Sequence, residues 1–313
     1  MTTAGLQDVN RLALPELYRA LAAGGFVRRV IELARDEDLG QAGDVTSEAT
    51  IAPGVRGEAT LRARQAGVLA GLEAIGDVIA VFDPAVRFEA RARDGETIAP
   101  GQPLGEFAGP LRSILAIERT ALNLVSRLSG IATRTAEYVR AAGRPVVYDT
   151  RKTTPGLRVL EKYAVRCGGG LSHRLGLHDA MLIKDNHLAG CATPAELASF
   201  VAQASARARA RHRLAFVEVE VDTLEQFDAL LGLAVGTIDL VLLDNMDAER
   251  LREAVARRNA RRPELGLEAS GGVNLGTIGA IAATGVDRIS VGALTHGAVS
   301  LDLGLDIDAA PHA

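Results

Sequence analysis

Apolar and polar positions recur along this chain with two different periods, and the change of period divides it. Residues 14 to 37, LPELYRALAAGGFVRRVIELARDE, carry apolar side chains at three- and four-residue spacing, which predicts an amphipathic helix weakened at Gly24-Gly25. Between about Val55 and Phe107 the text changes to short alternating stretches, EATLRARQAGVLAG and AVRFEARARDGETI among them. Asp-Gly and Pro-Gly turns break these up, so a small antiparallel sheet is expected there. Leu111 to Leu128 then reads as a long helix ending at Ser129-Gly130, a helix stop and the expected domain boundary.

Beyond Pro145 six apolar, β-rich runs follow: VVYD (146–149), AMLI (180–183), AFVEVEV (215–221), IDLVLLD (238–244), LGLEAS (265–270) and DRISVG (287–292). Helical stretches separate most of them. Near-continuous apolar strands alternating with helices predict a parallel sheet covered by helices. Six runs do not decide between an open doubly wound sheet and a closed barrel, and a seventh strand near Leu171 is only a guess. The residues at the strand ends favour the barrel.

Composition narrows the class. With 48% hydrophobic and 24% charged residues the chain is globular, and its 313 residues suit one large domain and one smaller one. No stretch is apolar enough to span a bilayer, and the N-terminus does not resemble a secretory signal, so the cytoplasm is the default compartment. Cys167 and Cys191 have neither disulfide nor zinc spacing. A net charge of -4, no Trp and 4% aromatics give no reason to expect nucleic acid. Charge is unevenly placed: residues 145–190 hold seven Lys or Arg against four Asp or Glu, whereas residues 215–250 hold nine acids and one base.

The apolar runs end in groups that can do chemistry: Asp149-Thr150-Arg151-Lys152, Lys184-Asp185, Glu220, Asp244, Ser270-Gly271-Gly272 and Ser290-Val291-Gly292. In parallel barrels the carboxyl ends of the strands form the active-site face, and phosphate commonly binds after the last two strands. The two small turns, the first leading into a helix at Asn274, therefore predict a phosphate-bearing substrate. Arg151, Lys152, Arg174 and Lys184, with His173, offer anion donors, and arginine can clamp a carboxylate through two parallel hydrogen bonds. Glu220 and Asp244 can hold Mg²⁺ or stabilise a developing cation, and an ion pair with Lys152 or Lys184 is compatible with that. Lys184 could alternatively be a Schiff-base lysine. Arg158, Lys162 and Arg166 read as a solvated helix face beside the buried stripe of Leu157, Leu160 and Ala164. His178, His187, His212, His296 and His312 show no ligand spacing.

The stretch DTRKTTPGLRVLEKYAVRCGGG…HRLGLHDAMLIKDNH (149–187), with EVEVDTLEQ, DLVLLDNM, EASGGVNL and DRISVGALTH after it, resembles the quinolinate phosphoribosyltransferases. GDVTSEAT, GVLAG and ERTALNLVSRLSGIAT extend the likeness over nearly the whole chain. The resemblance implies an N-terminal α+β open-faced sandwich (residues 1–129, joined by the C-terminal segment 296–313) and an incomplete, TIM-like α/β barrel of about seven strands (130–295). It implies a homodimer and leaves association into hexamers open. Quinolinate would be held by Thr150, Arg151, His173, Arg174 and Lys184, with Arg119 from the partner subunit. Lys152, Glu220 and Asp244 would be catalytic and would contact phosphoribosyl pyrophosphate (PRPP), cradled by Ser270, Gly271, Gly272, Ser290, Val291 and Gly292. Mg²⁺ would bind mainly through PRPP, with Glu220 and Asp244. The implied reaction is decarboxylating phosphoribosyl transfer in NAD synthesis; the alternative is a non-catalytic or molybdenum-associated metabolite-binding relative. One departure from the family pattern is Ser172, where Asn usually precedes the His-Arg pair.

Overall fold

The computed structural model describes residues 9–144 and 146–308. The alternating region supplies β1 (Arg56–Ala63), β2 (Gly67–Val68), β3 (Arg87–Ala90), β4 (Thr97–Ile98) and β5 (Pro103–Pro110). The apolar runs supply β6 (Val146–Tyr148), β7 (Met181–Ile183), β8 (Val217–Val221), β9 (Leu240–Asp244), β10 (Gly266–Ser270) and β11 (Arg288–Ser290), and the chain closes on β12 (Leu303–Asp308). One sheet is antiparallel in the order β12-β1-β5-β3, and β2 pairs with β4 beside it. The last strand thus returns to the first sheet, with Leu305 opposite Leu61.

The second sheet is parallel throughout, in the order β6-β11-β10-β9-β8-β7. Leu171 adds a parallel bridge to Tyr148 where a seventh strand was guessed. Three of the helices between these strands start where the sequence offers caps. Thr193 with Glu196 and Thr223 with Gln226 form capping boxes ahead of Pro194–Arg211 and Leu224–Leu231, and Asp247 caps Ala248–Arg261. Asn274 does not open a helix as expected; the helix begins at Ile278, after a turn in which the Asn274 side chain accepts the Gly276 N–H.

Gly25, in the left-handed region at φ 73°, separates helices Leu14–Ala22 and Phe26–Leu39 where the sequence weakens the helical pattern. The expected stop at Ser129-Gly130 is not one. A single helix runs from Leu111 to Ala142, its buried stripe continuing through Ile131, Ala132, Thr135 and Tyr138. Both small residues serve close approach instead. Ser129 Oγ accepts the Ala70 N–H at 3.0 Å, and a Cβ on Gly130 would overlap the Val299 carbonyl.

Alternation along the parallel strands separates two faces. Val217, Val219, Val241, Leu243, Leu267, Ala269 and Ile289, all buried, make one of them apolar. The other carries Glu218 and Glu220 on β8, Asp244 on β9, Glu268 and Ser270 on β10, and Arg288 and Ser290 on β11.

Candidate active site

The carboxyl ends of these strands surround a cavity of about 750 Å³. Thr150, Arg151, Lys152, His173, Arg174, Lys184, Glu220, Asp244, Ser270, Gly271, Gly272, Ser290 and Gly292 all line it. Two residues from the same set do not: Val291 is buried behind the turn, and Arg119 stands exposed on the helix Leu111–Ala142.

One wall is basic. Among the described residues, Arg151, Lys152 and Arg174 have no carboxylate within salt-bridge distance. Arg151 Nε is buried without a hydrogen-bond partner. Burial, and then the Arg151 charge, hold the Arg174 guanidinium below its usual pKa. Two guanidinium groups near each other without acids of their own form a site for an anion.

The opposite wall is acidic. Burial raises the Glu220 carboxyl while its ion pair with Lys184 opposes the rise. Asp244 is also raised by burial, with Lys184 opposing and Asp222 adding repulsion. The Lys184 side chain is 42% exposed and ion-paired, unlike the desolvated, unpaired amine that Schiff-base chemistry requires. Gly271 and Gly272 occupy positive φ, 91° and 59°, and a Cβ at Gly271 would collide with the Asn245 side chain. Across the mouth, a Cβ at Gly292 would meet the Lys152 side chain at 2.8 Å, so the absence of one leaves that lysine room.

Three polar cavity residues, Asn245, His296 and Glu268, went unassigned in the sequence. Asn245 lies at φ 53° directly after Asp244, donating Nδ2–H to its carboxylate at 2.6 Å and its backbone N–H to Ser270 at 3.0 Å. Asparagine tolerates that conformation, but one letter after an aspartate is a weak signal. His296 ends the short helix Ala293–His296 and lines the cavity, whereas its sequence context offered no ligand spacing. His312 lies outside the described residues.

The expectation of a solvated face fails most clearly at Lys162. It is completely buried and ion-paired with Asp149, itself fully buried below the mouth. Burial raises the Asp149 carboxyl and lowers the Lys162 ammonium, each restrained by the other's charge. Arg166 donates to the Leu12 carbonyl at 3.1 Å and Arg158 to Thr153 Oγ1 at 3.1 Å, so neither is merely solvated. Helical spacing marked this face as polar without showing that Asp149 and the His173 carbonyl close over Lys162.

Sequence reading also missed a buried layer beneath the mouth. His173 Nε2 faces Glu218 at 2.9 Å and Glu268 at 3.5 Å, while Arg288 pairs with Glu268 at 2.8 Å and lies 3.8 Å from Glu218. The Arg288 guanidinium rests 4.7 Å from the Tyr148 ring centre. Burial alone would lower the His173 pKa, but the Glu268 and Glu218 carboxylates raise it to about 9. The Arg174 N–H, 2.8 Å from Nδ1, pulls toward the neutral ring. The Nε2 proton, which faces the carboxylates, is present in both forms. His173, Glu218 and Glu268 are close enough to share a metal ion, yet Arg288 already supplies the cation there. The signal was available at period two: Glu218, Glu268 and Arg288 each stand two residues before an assigned strand-end residue.

Guanidinium groups on one wall, carboxylates on the other and two glycine turns define an α/β enzyme site for substrates bearing carboxylate and phosphate. Residues 44–129 and 131–306 match the family models for the N-terminal and C-terminal domains of quinolinate phosphoribosyl transferase. The chain is 43% identical over 286 residues to nicotinate-nucleotide pyrophosphorylase (carboxylating) of Mycobacterium leprae, covering 90% of this chain and 96% of that protein. It is 40% identical to a probable enzyme of the same name from Bacillus subtilis, covering 87% and 90%. Its fold matches the nicotinate-nucleotide pyrophosphorylase of Francisella tularensis with a TM-score of 0.80 at 34% identity, covering 96% and 99% of the two chains. NadC from Streptococcus pyogenes matches with a TM-score of 0.80 at 38% identity, covering 89% and 95%. This chain belongs to the quinolinate phosphoribosyl transferase family.

Proposed function

We infer that this protein transfers the phosphoribosyl group of PRPP to quinolinate and releases CO₂, giving nicotinate mononucleotide and pyrophosphate for NAD synthesis. The observation that carries this reading is the pair Arg151 and Arg174, cations without acid partners in a cavity whose far wall is acidic. A dicarboxylate supplies the missing partners. A metabolite-binding protein without a dicarboxylate ligand has no use for such a pair.

In this reading Arg151, His173, Arg174, Lys184 and Thr150 hold the pyridine dicarboxylate, and Lys152 lies between the two substrates. Ser270, Gly271, Gly272, Ser290 and Gly292 cradle phosphate through backbone N–H groups and hydroxyls. The bond from the anomeric carbon to pyrophosphate breaks as the ring nitrogen forms its bond to that carbon. Glu220 and Asp244 stabilise the positive charge of the ribose, and Lys152 neutralises the departing pyrophosphate. The cationic ring nitrogen then accepts the electron pair released as the adjacent carboxylate leaves, and a proton fills the vacated carbon. Glu220 and Asp244 are oxygen donors of the kind Mg²⁺ takes, and they would hold an ion brought in with PRPP, which would supply countercharge to the phosphates.

The parallel sheet and the Leu171 bridge fit an incomplete barrel of about seven strands, open between Leu171 and β7. The domain division is residues 1–129 with 296–313 against 130–295; the pairing of β12 with β1 supports assigning the C-terminus to the first unit. Arg119, exposed and away from its own cavity, completes the dicarboxylate site of a second copy in a homodimer.

The test is an assay of purified protein with quinolinate, PRPP and Mg²⁺, following nicotinate mononucleotide and CO₂, with nicotinate as a parallel substrate. Turnover of quinolinate and not nicotinate is expected. A preference for nicotinate would overturn the dicarboxylate site while leaving the phosphate site standing.

A further inference from the structure

The loop that carries His173 and Arg174 has no regular hydrogen bonding of its own. From Ser172 to Ala180 the chain is neither helix nor strand, so no ladder fixes the two residues. Buried charges grip this loop instead. Asp149 Oδ1 accepts the His173 N–H at 2.8 Å, and Lys162 reaches the His173 carbonyl at 3.5 Å. The ring is held from below by Glu218 and Glu268, which Arg288 joins, and its edge meets Phe216 at 5.1 Å between ring centres.

We propose that Glu218 and Glu268, braced by Arg288, are positioning residues for dicarboxylate recognition: they fix the His173 ring and, through the next peptide, the Arg174 guanidinium beside Arg151. Three observations support this role. Glu218 and Glu268 are fully buried, and burying charge is costly enough that well-packed apolar residues generally serve stability as well or better. Arg288 supplies a cation to both carboxylates, 2.8 Å from Glu268 and 3.8 Å from Glu218. Among the described residues, every short contact that Glu218 makes with a charged side chain leads to His173 or Arg288. Through Glu218 the network therefore acts on the His173 side of the cavity, whereas Glu268 also reaches Ser290 in the second glycine turn.

The inference rests on the assignment of Arg151 and Arg174 to the dicarboxylate. It separates KM for quinolinate from KM for PRPP. Glu218→Leu removes the acceptor at similar volume, and KM for quinolinate should rise about tenfold, as expected for one lost buried hydrogen bond, with KM for PRPP changed by less than about twofold. Glu218→Gln keeps an acceptor oxygen and should recover most of the loss. In a His173→Ala background Glu218→Leu should add nothing further, because the two act through one contact. Glu268→Gln serves if Glu218→Leu does not fold, read on KM for quinolinate alone because Glu268 also reaches Ser290. An unchanged quinolinate KM, or a parallel rise in both KM values, overturns the proposal. Arg174→Ala separates the two levels: if it also leaves quinolinate KM unchanged, the site assignment itself falls, whereas if it alone raises that KM, only the positioning network falls.

Discussion

At the mouth of the parallel sheet stand Glu220, Asp244, Ser270 and Ser290; two residues earlier on three of the same strands stand Glu218, Glu268 and Arg288. Glu220 and Asp244 face a cavity and keep part of their capacity for a ligand. The deeper charges are ion-paired with one another around His173. On β8 the side chain is the same in both rows, Glu218 below Glu220, so the difference there lies in what completes each group: substrate above, protein below. Removing a residue above should therefore cost activity, and removing one below should first cost stability or placement.

The largest separation is expected on the basic wall. Arg174→Ala should lower kcat/KM for quinolinate about a hundred- to a thousandfold, the scale of losing a desolvated charge pair with the ligand. Its thermal midpoint should stay near wild type, since the guanidinium has no acid partner to abandon. Steady-state kinetics beside a melting curve decide this; retained turnover removes Arg174 from the site.

Lys162 gives the opposite result. Lys162→Ala strands the fully buried Asp149 carboxylate, and a loss of about 3–5 kcal/mol in unfolding free energy is expected from denaturant titration. Replacing both partners, Lys162→Met with Asp149→Leu, should recover much of that loss because no uncompensated charge remains. Failure of the double variant to recover would show that Asp149 does more than neutralise Lys162.

Titration of the lower row adds a pH window. His173 has its pKa raised from 6.5 to about 9, so its contribution is complete below pH 6.5 and lost as pH rises toward 9. Glu268 is depressed to about 2 despite burial, through His173 and Arg288, and its contribution persists until pH falls from 4.5 toward 2. Burial and Glu268 raise Glu218, which opposes this in acid. Between pH 6.5 and 9.5 wild type should lose up to about 3 kcal/mol of unfolding free energy relative to a His173→Gln variant over the same span. Equal slopes for the two proteins would mean that the ring is not held as a cation.

Much of this was legible at the level of periods. Both sheets and five of the cation and carboxylate positions at the mouth, Arg151, Lys152, Lys184, Glu220 and Asp244, followed from where apolar runs end. Arg119 did not follow, because an exposed helical arginine looks the same whether it meets solvent or another copy. Ser129-Gly130 misled because small residues either stop a helix or admit a neighbouring backbone, and only the approach of Val299 distinguishes the two. Lys162 misled because burial of a helix's polar face depends on what packs against it. Glu218 was visible within EVEV, yet its partners arrive from His173 and Arg288, forty-five and seventy residues away.

The smallest effect concerns Ser172, where the family pattern has Asn. Its side-chain oxygen is buried without a partner, but its backbone is held on both sides by one amide: Ser172 N–H donates to Asn10 Oδ1 at 2.8 Å, and Asn10 Nδ2 donates to the Ser172 carbonyl at 2.9 Å. Asn10 thus does for this loop what a neighbouring strand would do, and it does so one residue before His173. Asn10→Ala should cost about 1–2 kcal/mol of stability for the two lost bonds. Because Asp149 and Lys162 still grip His173, KM for quinolinate should rise only about two- to threefold, on the scale of a fraction of one bond. A rise as large as that of Glu218→Leu would shift the control of His173 from the buried carboxylates to the N-terminal segment, and with it the division between a mouth that binds and a floor that positions.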